Sequence, residues 1–126
     1  MSPRVSIVTP VYDPPLWALE ECIKSVLRQT ERDWQWCIAD DLSTNPDVRR
    51  RLQKLARVEP RVRLILREEN GGIVAASNSA LLACDGEFVA LLDHDDSLSS
   101  NALEKILGAF EQGPDVDYVY SDEDKV

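Results

Sequence analysis

The sequence predicts an α/β domain: a mostly parallel sheet with helices on both faces. Three observations carry this. Short apolar runs alternate with segments whose apolar residues recur at helical spacing, from the N-terminus to residue 120. One of those runs, Phe88-Val89-Ala90-Leu91-Leu92, is apolar throughout, as a central strand covered on both faces should be. The polar punctuation falls just after the runs, where α/β sheets bind ligands.

The elements follow in order. Val5-Ser6-Ile7-Val8 is the first strand, and Pro10, Pro14 and Pro15 stiffen the loop beyond it. Leu16, Leu19, Ile23, Val26 and Leu27 place an amphipathic helix over residues 16–28. Trp36-Cys37-Ile38-Ala39 is the second strand, ended by Asp40-Asp41. Val48, Leu52, Leu55 and Ala56 mark a second helix, whose Arg49, Arg50, Lys54 and Arg57 form a basic stripe expected to face solvent. Val62–Leu66 is a third strand. Gly71-Gly72 breaks the chain before a helix of small residues over 73–84. Phe88–Leu92 is the fourth strand. Leu103, Ile106, Leu107 and Phe110 define a fourth helix, and Val116–Tyr120 reads as a fifth strand.

The 126 residues fit one domain, with no internal repeat or linker. No apolar run approaches the roughly 20 residues of a membrane span, and no signal-peptide pattern precedes the first strand. The net charge is -9, and its placement is uneven. Residues 1–84 hold 12 Lys/Arg against 11 Asp/Glu; residues 85–126 hold 2 against 12. Such an acidic surface argues against a nucleic-acid partner and suits a bound cation. The odd number of cysteines, Cys22, Cys37 and Cys84, matches no zinc spacing. They read as reduced, packed thiols, which implies a cytoplasmic setting.

Four constellations could carry chemistry. Asp93-His94-Asp95-Asp96 follows the fourth strand. Asp93 and Asp95 are two apart and can aim at one locus, with His94 turned elsewhere. A hard divalent ion, Mg²⁺ or Mn²⁺, wants one or two such carboxylates and completes its shell with water and phosphate. The alternative is a solvated acidic turn capped by Ser97, Ser99 or Ser100. In Thr9-Pro10-Val11-Tyr12-Asp13, Tyr12 could stack on a planar base or pack at a core edge, and Thr9 could donate a hydrogen bond. In Asp40-Asp41-Leu42-Ser43, a carboxylate could accept from a base imide or a ribose hydroxyl, or simply serve the turn into the next helix. Asn70-Gly71-Gly72 through Asn78 offers close backbone approach at a helix N-terminus, or only a glycine turn.

Taken in order, VSIVTPVYD, SVLRQT, ADDLST, ENGGIVAASN and DGEFVALLDHDD resemble the family 2 inverting glycosyltransferases of the GT-A fold. The resemblance runs from Val5 to about Asp124, and the final block is the family's DXD-type signature. It is similar to bacterial members that make surface polysaccharides and share an SDEDK ending such as Ser121–Lys125. The resemblance implies the Rossmann-like nucleotide-binding half of a GT-A fold. It also implies a nucleotide-sugar donor, UDP- or dTDP-linked, and a glycan or lipid-linked acceptor. Thr9, Pro10, Tyr12 and Asp13 would lie along the nucleoside, and Asp41 would bind the base. Asn70, Gly72 and Asn78 would shape the donor pocket. Asp93 would approach the ribose and sugar, and Asp95 would be the main ligand of Mn²⁺ or Mg²⁺. Three positions depart from the family pattern: Asp13 for Asn, Leu42 for Gly and Ser77 for Arg.

The implied reaction is displacement at the anomeric carbon with inversion. Its base belongs to the acceptor half, expected beyond residue 126, so residues 1–126 read as the donor-binding part of a longer enzyme. That parent is expected at the inner face of the membrane, and a homodimer through an exposed sheet edge is conceivable. Two other readings stay open: a nucleotidyltransferase using the same metal edge, and a non-catalytic domain on this fold. Against the first, Pro10–Pro15 contains neither glycine nor a basic residue.

Overall fold

The computed structural model describes residues 3–112. Eight elements alternate along them: β1 (Val5–Val11), α1 (Leu16–Leu27), β2 (Trp34–Asp40), α2 (Pro46–Val58), β3 (Val62–Leu66), α3 (Gly72–Leu82), β4 (Phe88–Leu91) and α4 (Ala102–Gln112). The four strands form one parallel sheet in the order β3-β2-β1-β4. The expected fifth strand, Val116–Tyr120, lies outside the described residues.

Local chemistry explains the element ends. Pro15 precedes α1. Pro46 opens α2, where its missing N–H costs nothing, and the Asn45 side chain caps the helix by accepting from the Asp47 N–H at 3.0 Å. β1 runs past the expected Val8 to Val11, through Pro10. It can do so because β4 pairs only with Val5–Val8, so Pro10 has a ladder neighbour on the β2 side alone.

The two faces of the sheet differ in bulk. On one face Val5, Ile7, Val11, Trp34, Trp36 and Ile38 pack with Leu19, Ile23, Val26, Leu52, Leu55, Leu103 and Ile106 of α1, α2 and α4. On the other, Val8, Cys37 and Ala39 meet Ala76 and Ala80 of α3. The small residues of α3 let that helix lie close to the strands. This split follows from right-handed crossovers. The sheet first grows from β1 towards β3, then α3 returns the chain across the opposite face to β4.

β4 differs from expectation. It neighbours β1 alone among the described residues, and Leu91 is 44% exposed. Among the described residues the strands flanked on both sides are β1 and β2, and β2 is buried along its whole length. An apolar run thus marked a strand correctly, and among the described residues that strand is flanked on one side. The return from β3 to β4 also has a consequence for function. The strand order reverses between β1 and β4, with α1 leaving β1 on one face and α3 entering β4 from the other, and such a switch point opens a crevice at the strands' carboxyl ends.

Candidate functional site at the switch point

A cleft of about 510 Å³ lies there, lined by Pro10, Val11, Tyr12, Asp41, Asn70, Gly72, Ile73, Ala76, Asp93, His94 and Asp95. Its size falls within the range of small-molecule sites. Four loops supply it, following β1, β2, β3 and β4.

The loop after β2 is built around Asp41. Its carboxylate is buried, at 2% exposed, and is held by the next loop. Oδ1 accepts from Arg67 Nε at 2.8 Å and from the Gly71 N–H at 3.0 Å; Oδ2 accepts from the Gly72 N–H at 2.8 Å. Burial pushes its pKa up, but the Gly71 and Gly72 N–H groups and Arg67 outweigh this and hold it below the usual value of 3.8. A carboxylate has about four acceptor positions. Three are taken, which leaves one on Oδ2. Asn70 Nδ2 donates to the Asp41 carbonyl at 3.1 Å.

Both glycines are required here. Gly72 has φ +90°, a conformation that side chains resist. A Cβ on Gly71 would stand 2.7 Å from Arg67 Nη2. Arg67 itself is tucked behind the cleft, donating also to the Ala75 carbonyl at 3.3 Å and to the Ser79 hydroxyl. Arg49 turns inward too, with Nε 2.5 Å from Asp40 Oδ2 and Nη2 2.7 Å from the Arg67 carbonyl. It therefore departs from the solvated stripe expected of α2.

The loop after β1 is pinned from both sides. Asp13 Oδ1 accepts from the Asn45 N–H at 3.0 Å and Oδ2 from the Thr44 hydroxyl at 2.6 Å, while the Asp13 N–H donates to Ser43 Oγ at 3.0 Å. The Asn45 N–H, then the Thr44 hydroxyl, hold the Asp13 carboxyl below its usual 3.8. Its φ is 45°, and Leu42 has φ 63°. Two of the three departures from the family pattern thus occupy left-handed backbone, where Asn and Gly are the easy residues. On the other side, the Tyr12 N–H donates to His94 Nδ1 at 3.1 Å. The Tyr12 ring is 44% exposed at the cleft.

The turn after β4 presents Asp93 and Asp95, both exposed and both lining the cleft. Asp96 is buried and its N–H closes the turn on the Asp93 carbonyl at 3.2 Å. Cys22 lies under the turn, its Sγ 3.7 Å from the Asp93 carbonyl. Burial first, then Asp96, Asp95 and Asp93, pushes that thiol up to about 12. No group of three or more His, Cys, Asp or Glu able to hold a metal occurs among the described residues. Two exposed carboxylates are nonetheless a fitting donor set for a hard ion that takes most of its shell from water and phosphate.

Seven of the expected donor-site and metal residues therefore meet in one cleft: Pro10, Tyr12, Asp41, Asn70, Gly72, Asp93 and Asp95. Thr9 does not line it. It is 1% exposed, and its hydroxyl accepts from the Trp36 indole N–H at 2.8 Å. Asn78 is exposed on α3 outside the cleft lining, and the Asp13 carboxylate is occupied in joining two loops. His94 lines the cleft instead of pointing elsewhere.

The sequence and the fold find their match in known proteins. The model of glycosyl transferase family 2 covers residues 6–123. The chain belongs to glycosyl transferase family 2. It is 39% identical over 122 residues to the O-antigen biosynthesis protein RfbC of Myxococcus xanthus, covering 97% of this chain and 10% of RfbC. It is 40% identical over 119 residues to chondroitin synthase of Escherichia coli, covering 94% of this chain and 17% of the synthase. The chain thus spans under a fifth of the length of either relative.

Solved structures support the GT-A fold. TarS 1-349 of S. aureus in complex with UDP aligns with a TM-score of 0.75 at 22% identity, covering 88% of this chain and 33% of TarS. The mannosyltransferase PcManGT from Pyrobaculum calidifontis, in complex with GDP-Man and Mn²⁺, gives 0.77 at 23%, covering 87% and 33%. No helix among the described residues is long and apolar enough to cross a membrane.

Proposed function

We propose that this chain binds the nucleoside diphosphate part of a nucleotide-sugar, for an enzyme that transfers the sugar to an acceptor hydroxyl with inversion. One observation carries the reading: in a family 2 chain, Tyr12 and Asp41 line the same cleft as the carboxylates of Asp93 and Asp95. The exposed Tyr12 ring offers a face for a planar base. Asp41 has one acceptor position left, which suits a single N–H such as a base imide better than a ribose diol. The donor is therefore UDP- or dTDP-linked, since uracil and thymine carry that imide. UDP bound to TarS is in keeping with this, although likeness at that level speaks for the fold alone.

Asp95, with Asp93, would hold Mn²⁺ or Mg²⁺. Such an ion offsets negative charge on a departing diphosphate. Asn70 and Gly72 line the same cleft as those carboxylates, and the N–H groups of Gly71 and Gly72 at the start of α3 hold the Asp41 carboxylate in its wall. The acceptor proposed is a glycan or lipid-linked saccharide, in keeping with relatives named for O-antigen biosynthesis and as a chondroitin synthase.

Calorimetric titration of the chain with UDP, with and without MnCl₂, tests the reading. Manganese-dependent binding in the millimolar range or tighter is expected, and Asp95→Ala should abolish the dependence on the ion. Absence of metal-dependent binding in the wild type would refute the reading.

A further inference from the structure

We propose that His94 is a positioning residue: its Nδ1 atom tethers the backbone of Tyr12 and so sets the aromatic ring in register with the carboxylates of Asp93 and Asp95. The proposal rests on the nucleotide reading above.

The tether spans 82 residues of sequence, at 3.1 Å. It acts where the sheet no longer can. The β1–β4 ladder ends at Val8↔Leu91, and the Leu92 N–H makes a further bond to the Val8 carbonyl at 2.9 Å. Past that level the two segments separate to form the cleft, and the His94 bond rejoins them across its rim. Asp13 already fixes the other flank of the same loop to Ser43, Thr44 and Asn45. Tyr12 therefore sits between two anchors, one on the α2 side and one on the acidic turn.

Tyr12 is 44% exposed, so packing covers it only in part and its direction draws on the placement of its backbone. The bond also assigns the imidazole tautomer. A ring whose Nδ1 accepts carries its proton, when neutral, on Nε2. His94 thus serves the loop with one nitrogen and keeps an N–H donor on a residue that lines the cleft.

Two probes separate the parts of the site: UDP with Mn²⁺, which needs the base-facing loop, and inorganic pyrophosphate with Mn²⁺, which does not. His94→Asn places Oδ1 where Nδ1 stood, whereas His94→Gln extends its amide towards the Nε2 position. The expected result is near-wild-type UDP affinity for His94→Asn, within about threefold. His94→Gln and His94→Ala should bind UDP about tenfold more weakly, the scale of one lost hydrogen bond. Pyrophosphate affinity should stay within about twofold in all three. In a Tyr12→Ala background, His94→Ala should cost less than about twofold, because the group it positions is gone.

Equal UDP affinity for the Asn and Gln variants overturns the proposal, and the comparison does not depend on His94→Ala folding. Equal losses for UDP and pyrophosphate also overturn it, because His94 would then act on the acidic turn and not on Tyr12. If the wild type binds pyrophosphate but not UDP, the nucleotide reading itself falls.

Discussion

Replacing Arg67 by methionine removes a guanidinium from a carboxylate that water scarcely reaches. The Asp41 side chain is 3% exposed and that of Arg67 18%, with Nε 2.8 Å from Oδ1. Deleting one partner of a buried ion pair costs about 3–5 kcal/mol, because the other charge stays behind. Two bonds remain on Asp41, from the Gly71 and Gly72 N–H groups. Methionine also keeps part of the arginine stem. These lower the expected loss to about 2–3 kcal/mol. For a chain of this length each kcal/mol moves Tm by roughly 3–5 °C, so Arg67→Met should melt roughly 10 °C lower by circular dichroism at pH 7. Arg63→Met is the control. Its partner is Asp85, both side chains are 50% exposed, and its loss should stay below about 1 kcal/mol. UDP affinity should fall in Arg67→Met as well, since the same bond orients the carboxylate that the proposed function assigns to the base. Equal melting of the two variants would show that Asp41 is held by the glycine backbone alone, and the account of the brace would be wrong.

Three further outcomes are expected. Asp13 and Asp41 have folded pKa values below 3.8, so the folded state holds fewer protons than the unfolded chain between that value and the lower folded ones. Their contribution to stability is complete above pH 3.8 and drains away as pH falls through that window; urea midpoints measured from pH 5 down to 2 should show it, and Asp13→Asn should flatten the decline. The neighbouring Cys37 thiol and, with it, the Ser6 hydroxyl and Arg63 pull Cys84 down to about 7 against burial and Asp85, while Cys37 is pushed up. Iodoacetamide should therefore modify Cys84 first, at a rate rising through pH 7, and a fast phase surviving in Cys84→Ser would contradict this. Leu42 stands at φ 63° with 40% of its surface exposed, so Leu42→Gly should gain about 0.5 kcal/mol, the relief of left-handed strain less the entropy of glycine; a urea midpoint below wild type would mean that its side chain packs better than its exposure suggests.

Much of the fold was legible because apolar periodicity is a local signal. β3 occupies the expected residues 62–66, and the helices differ by a residue or two at their ends. Some placements relative to the cleft were legible on the same grounds. Thr9 shares the strand parity of Val5, Ile7 and Val11, all of which face the larger core, so its burial under Trp36 was implicit in a period of two. Asn78 lies two residues from both Ala76 and Ala80, which puts it on the far side of α3 from the sheet. Other features were out of reach. The bond between Tyr12 and His94 and the brace between Asp41 and Arg67 join residues 82 and 26 apart, and no local pattern encodes such pairings. The brace becomes readable only with the strand register. Asp40 pairs with Leu66, so the residues that follow each of them emerge side by side.

The same distinction sorts the aspartates by role. Asp13, Asp40 and Asp41 look alike in the sequence as polar residues after a strand. In the structure each is occupied by neighbours within the chain: Asp13 by Thr44 and Asn45, Asp40 by Ser43 and Arg49, Asp41 by Arg67, Gly71 and Gly72. These carboxylates fix the loops after β1, β2 and β3 to one another. Asp93 and Asp95 differ in being exposed within the cleft those loops enclose. A metal bound there would meet a wall that is already rigid, and preorganised donors and dipoles stabilise developing charge without reorganising. Within the acidic last third of the chain, the carboxylates that line the cleft are those of Asp93 and Asp95, on a turn that His94 ties to the loop after β1.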